Sequence, residues 1–193
     1  MKQYESLEAL REDCLRCTAC GLCETRTNVV FGRGNPNAKL LFVGEGPGEQ
    51  EDRTGEPFVG RAGQLLDQYL EVMGFTKDDY YIANIVKCRP PQNRDPSPKE
   101  QDCCIGYLRE QVRLIRPKII ACLGRIAAMR IIDKNYKVTK QHGEMVRRGN
   151  LYLTGTFHPA ALLRTPSNKP LALGDFQKIR EQLRLIESGG DTL

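Results

Sequence analysis

No apolar run in this sequence approaches the about 20 residues that a membrane-crossing helix needs. No internal repeat and no low-complexity tract appears either, which sets aside solenoids and disordered tails. The opening residues, MKQYESLEALRED, have no apolar stretch behind their single lysine. No signal peptide is therefore expected, and the expected location is the cytoplasm, where thiols stay reduced. Histidine is scarce, with only His142 and His158 in 193 residues. Two phosphate-binding fingerprints are also missing from the one glycine-rich loop, GEGPG at 44–48. A P-loop needs Lys and then Ser or Thr after its last glycine, and here Glu49 and Gln50 follow. A dinucleotide fingerprint needs a third glycine at position 49.

What is present points to a globular α/β protein. Hydrophobic residues make up 40% of a chain long enough to bury a core without disulfides, and one domain spanning 1–193 is expected. Four short apolar runs, KLLFVGE (39–45), YYIANIV (80–86), KIIACLG (118–124) and LYLTGTFH (151–158), read as strands covered on both faces. Helical patterns lie between them. Residues 60–74 place Leu65, Leu66, Tyr69, Leu70 and Met73 on one stripe. Ser97, Pro98 and Glu100 form a capping box with proline at the first helical position. A third helix follows from LGRIAAMRIID, and a last one carries Phe176, Ile179, Leu183 and Ile186 inward. A further helix over roughly residues 5–13 precedes the cysteines. Alternating strands and helices predict a three-layer α/β/α fold around a central four-stranded parallel sheet.

In open α/β sheets ligands bind at the carboxyl ends of the strands. The residues there read GEGPGEQED, NIVKCRPP, LGR and FHPAALLR. Glu45, Glu49, Glu51 and Asp52 make the first loop too acidic for a polyphosphate but suited to a cation or an oriented water. Asn84 interrupts an apolar strand; buried there, its amide costs about 1–3 kcal/mol unless it finds partners. The net charge of +5 is compatible with nucleic acid but does not require it. Eight cysteines in a reducing compartment argue for metal binding or redox chemistry. Cys14, Cys17, Cys20 and Cys23, each three residues from the next, form one possible ligand set, for zinc or for an iron–sulfur cluster.

Three stretches together, VGEGPGEQEDRTGEPFVGRAGQLLD, NIVKCRPPQNRDPSPKEQ and TFHPAALLR, resemble the family 4, iron–sulfur uracil-DNA glycosylases. The resemblance runs from about Cys14 to the last helix. It implies a DNA repair enzyme that flips uracil out of uracil-containing DNA and hydrolyses the N-glycosidic bond, releasing free uracil and leaving an abasic site. Gly44 to Gly48 match the first motif of the superfamily, whose better-known members carry aspartate at the position of Gly46 to steer water. By the same resemblance Glu45 orients water or stabilises the oxocarbenium-like transition state, and His158 hydrogen-bonds uracil O2. Asn84 reads N3–H and O4, Phe58 stacks on the base, and Glu51 excludes the methyl of thymine. Leu162 or Leu163 wedges into the gap left in the duplex. Lys87, Arg89, Arg94, Arg164 and Lys169 are candidate phosphate contacts.

The resemblance also implies a second ligand set, in which Cys17, Cys20, Cys88 and Cys104 hold a 4Fe-4S cluster and join the N-terminal segment 1–26 to the site. Cys104 is preferred to Cys103 because it shares a helical stripe with Leu108, Val112 and Ile115. Cys14, Cys23, Cys103 and Cys122 are then free thiols. Two other functions fit parts of the pattern: a non-catalytic iron–sulfur protein binding single-stranded DNA, and a covalent uracil trap. The trap needs a histidine in an inserted basic loop, and nothing like that insert follows GEPFVGRAG. A monomer is the expected state.

Overall fold

In the computed structural model, which describes residues 2–189, a six-stranded sheet runs in the order β1-β3-β2-β4-β6-β5. Its centre is the four predicted strands, β2 (Leu40–Gly44), β3 (Tyr80–Asn84), β4 (Ile119–Leu123) and β6 (Leu151–Thr156), paired in parallel. The expected four-stranded sheet is thus extended at both edges by antiparallel strands. These are β1 (Arg33–Gly34), beside β3, and β5 (Met145–Arg148), beside β6. β1 is two residues long and β5 is largely exposed. Neither carries the apolar run that marks a strand buried on both faces, so sequence pattern alone does not reveal them.

Phe42 and Leu41 show how the two faces are covered. Phe42 stacks on Phe176 and meets Phe75 and Tyr80 edge-on, so α3 (Arg61–Val72) and α8 (Lys169–Glu187) lie on its side. Leu41 is in register with Tyr81, whose hydroxyl hydrogen-bonds Gln111, so α4 (Pro98–Ile115) covers the opposite face. Packed on α4 is α1 (Leu7–Leu15). The capping box forms as predicted: Ser97 Oγ accepts from Glu100 N at 3.3 Å, and Glu100 Oε2 accepts from Ser97 N at 2.7 Å. Four shorter helices complete the fold among the described residues: α2 (Glu49–Thr54), α5 (Arg125–Ile131), α6 (Val138–Gln141) and α7 (Pro159–Arg164). Among the described residues no helix is long and apolar enough to cross a membrane.

Because the four central strands are parallel, Gly44, Asn84, Leu123 and Thr156 end on one rim. The loops singled out above all leave from that rim.

Candidate active site

A cavity of about 480 Å³ opens at this rim. β2 delivers Glu45, Gly46 and Gly48 to it, β3 ends in Asn84, and β6 leads to His158. The segment around α2 adds Glu51 and Phe58. Asp95, from the loop before α4, and Arg125, at the start of α5, complete the wall; neither was singled out in the sequence.

Asn84 is 2% exposed, and its Oδ1 is buried without a hydrogen-bond partner. Gly44 sits opposite it in the β2–β3 register. A Cβ at Gly44 would lie 2.4 Å from Asn84 Oδ1 and 2.7 Å from Phe58 Cζ. Glycine there is therefore what lets amide and ring face the same space. An unpaired buried acceptor costs about 1–3 kcal/mol, so this oxygen is an unmet hydrogen-bonding demand in a residue that lines the cavity.

Phe58 has φ 55, a left-handed conformation that a bulky residue keeps only when its surroundings enforce it. Glu51 supplies the restraint. Its Oε1 accepts from Val59 N at 2.9 Å and Gly60 N at 2.8 Å, and its Oε2 accepts from Gly48 N at 3.1 Å. One carboxylate thus ties the glycine loop to the phenylalanine loop. Glu51 lines the cavity, and both its oxygens are occupied in this clamp. Glu51→Ala leaves three amides without their acceptor and is expected to destabilise the fold by about 2–3 kcal/mol. Glu51→Gln, which keeps one acceptor oxygen, is expected to recover part of that loss in denaturant unfolding.

His158 caps α7. Its Nδ1 accepts from Ala160 N at 3.1 Å. Burial, and then the charge of Arg164, push its pKa down to about 4, against a small opposing pull from Glu51. The ring is therefore neutral near pH 7. Since Nδ1 is an acceptor, the proton sits on Nε2, leaving that atom a donor. The ring lies 5.8 Å from Phe58, centroid to centroid. Gly124, at φ +93, packs behind it, where a Cβ would come within 2.7 Å of His158 Cβ.

Glu45 is pushed up to about 7, first by burial and then by the charge of Asp95, while Arg125 pulls it down; it also hydrogen-bonds Asp95. At Gly46 a Cβ would lie 2.7 Å from Val86 Cγ2, so an aspartate here needs Val86 to move.

The proposed DNA contacts separate. Arg164 is exposed at the cavity rim. Leu163 is half-buried on α7, whereas Leu162 is 1% exposed and packs in the core, which corrects its candidacy as a wedge. Lys87 is also corrected. At 1% exposure it cannot reach a phosphate; its Nζ donates to Asn84 O at 2.9 Å and Gln111 Oε1 at 2.6 Å. The sequence places it among exposed basic residues, but it is the inward-facing one of that loop. Arg89 is half-buried and held by Asn93 and Glu49. Arg94 is exposed and paired with Glu100, and Lys169 is half-buried at the start of α8.

Seven of the eight cysteines, Cys14, Cys17, Cys20, Cys23, Cys88, Cys103 and Cys104, line a second cavity on the other side of Lys87. Both predicted ligand sets lie within it. Arg26 Nη1 donates to Cys88 Sγ at 3.3 Å and to Cys17 O at 2.7 Å, and Lys87 N donates to Cys104 Sγ at 3.3 Å. Burial pushes the Cys14 and Cys104 thiols up to about 12. Among the described residues no group of three or more His, Cys, Asp or Glu is placed to hold a single metal ion; the thiols surround a space instead. Cys122 is buried in β4, apart from them. His142 lies away from both cavities, its Nδ1 2.9 Å from Asp175 Oδ1.

Residues 31–184 match the family described as the uracil DNA glycosylase superfamily. The chain is 45% identical over 184 residues to a type-4 uracil-DNA glycosylase of Thermotoga maritima, covering 93% of this chain and 96% of that one. It is 44% identical over 186 residues to the type-4 enzyme of Sulfurisphaera tokodaii, covering 92% and 84%. With the type-4 enzyme of Archaeoglobus fulgidus the figures are 42% over 191 residues, covering 92% and 93%. With the rim loops of the parallel sheet inside the matched region, the chain belongs to the uracil DNA glycosylase superfamily and, within it, to the type-4 uracil-DNA glycosylases.

Proposed function

We propose that this protein is a DNA repair glycosylase that hydrolyses the N-glycosidic bond of uracil in DNA, releasing uracil and leaving an abasic site. The observation that carries the reading is that Asn84, whose buried Oδ1 has no hydrogen-bond partner, lines the same cavity as Phe58 and His158. Uracil offers N3–H to that oxygen and O4 to the amide NH₂; cytosine offers the reverse at both atoms. Phe58 stacks on the flipped base, with aromatic stacking worth about 1–3 kcal/mol. As the glycosidic bond breaks, charge builds on uracil O2, and the Nε2–H of neutral His158 donates to it without a prior proton transfer. Glu45, once ionised, lies on the sugar side to stabilise the cationic transition state or aim the water. Arg164 at the rim is assigned to phosphate, and the half-buried Leu163 on α7 to the gap in the stack.

The donor set around the cysteine-lined space suits a thiolate-bound cofactor. It brings thiols from the N-terminal segment, the proline loop and α4 to one space, with Arg26 and Lys87 as cations to balance thiolates. Cys17, Cys20, Cys88 and Cys104 are the proposed holders of a 4Fe-4S cluster. Its role would be structural: it would supply a covalent clip across residues 88–104, whose Pro90, Pro91, Pro96 and Pro98 offer no backbone donors. We place the enzyme in the cytoplasm as a monomer acting on uracil-containing DNA.

Two measurements on the purified protein test this: iron and sulfide content, and alkali-revealed cleavage of a uracil-containing oligonucleotide. Iron without cleavage turns the reading toward a DNA-binding iron–sulfur module, and zinc overturns the cofactor assignment. Cys88→Ser is expected to lower bound iron well below wild type and to reduce the thermal stability of the protein.

A further inference from the structure

The residues around Glu45 include two that gripping a base does not require. Asp95 comes from the proline loop, where Gln92 and Asn93 adopt φ 56 and 55. Immediately before it, Arg94 makes a two-point pair with Glu100 at 2.9 and 2.7 Å, anchoring the loop to the first turn of α4. From there Asp95 meets Glu45 in a side-chain hydrogen bond and Arg125 Nη2 at 2.5 Å. Three elements, the loop after β2, the loop before α4 and the start of α5, are thereby joined at one wall of the cavity.

Two carboxyl groups in a mutual hydrogen bond share one proton, so one of them is neutral. Asp95 is 59% exposed and paired with a guanidinium, while Glu45 is half-buried; the proton therefore belongs on Glu45. The other charged groups at the cavity are committed elsewhere. Glu51 is spent on three amides, Arg94 on Glu100, and Glu49 on Arg53 and Arg89. His158 is neutral, and Arg164 stands on the His158 side. Burial raises Glu45 first, and Asp95 and Arg125 are left as the charged groups that then adjust its state.

We propose that Asp95, steered by Arg125, is a positioning residue that holds Glu45 through a shared proton and so sets the pH above which the glycosylase works. The proposal rests on the reading of Glu45 as the carboxylate that acts on the sugar. When Glu45 ionises, its proton passes to solvent through the open cavity, the carboxylates separate, and Asp95 remains on Arg125.

The consequence has opposite signs in two variants. Asp95→Asn removes the negative charge that favours protonated Glu45 and frees Arg125 to approach it. Arg125→Gln removes the positive charge and leaves Asp95 uncompensated. Single-turnover uracil release at saturating enzyme, followed from acid to alkaline pH, reads the midpoint of the rising limb independently of its height. The wild-type midpoint is expected near 7. In Asp95→Asn it is expected to fall by about one pH unit, and in Arg125→Gln to rise by a similar amount. A general disturbance of the fold does not move the two in opposite directions. Midpoints that stay in place, or shift together, overturn the proposal. Glu45→Gln separates the two levels. If it releases uracil at the wild-type rate across the range, the role of Glu45 fails and the proposal with it. If it loses the limb while the Asp95→Asn midpoint stays unmoved, only the proposal fails. Asp95 and Arg125 side chains are 59% and 56% exposed, so neither substitution opens the core.

Discussion

His158→Ala is expected to slow uracil release by about a hundredfold or more while leaving DNA binding in place. The loss has a specific source. Nε2–H is the proposed donor to the base, left free for it because Nδ1 is already engaged by Ala160 N. Removing one donor from a developing oxyanion costs about 3–4 kcal/mol, against the smaller loss of one helix cap. The pKa of His158 is pushed down to about 4, so the imidazole is neutral throughout the working range. The rate should therefore show no limb near the ordinary histidine value, and the limb near 7 should belong to Glu45. Single-turnover kinetics with a uracil-containing oligonucleotide, together with a binding titration, check both points. A His158→Ala protein with wild-type rates removes the oxyanion role.

Asn84→Ala is expected to lose at least about a hundredfold in uracil release, for a different reason. The amide, an unpaired buried acceptor, is the proposed reader of the base edge. Its removal takes away two complementary hydrogen bonds in the complex, and it relieves a desolvation cost in the free protein. The variant should therefore unfold at the same denaturant concentration as the wild type or a higher one, while its activity collapses. That opposition of stability and activity marks a group kept for function. An Asn84→Ala protein that loses stability and keeps activity assigns the amide to the fold instead. Alanine at both positions with no measurable loss favours the non-catalytic DNA-binding module.

Much of the framework is legible without coordinates. The runs at 39–45, 80–86, 118–124 and 151–158 are each apolar on both faces, and each became a central parallel strand. The Ser97 capping box and the stripes on α3 and α8 announce helices through spacing alone. The edge strands β1 and β5 escape, because a two-residue pairing and a polar, one-sided strand carry no such pattern. The site divides similarly. Asn84, Phe58 and His158 stand out as residue types in unusual company, and their loops converge because parallel strands must end on one rim.

By itself the sequence determined the parallel sheet, the rim on which its chemistry sits, and the residue types available there, since periodicity and strand direction are local properties. Only the tertiary structure decided which groups face one another. Lys87 turned inward beneath Asn84, Leu162 entered the core while Leu163 stayed half-exposed, and Asp95 met Glu45 across separate loops. Burial, protonation and hydrogen-bond partnership arise between residues distant in the chain, and no local pattern encodes them.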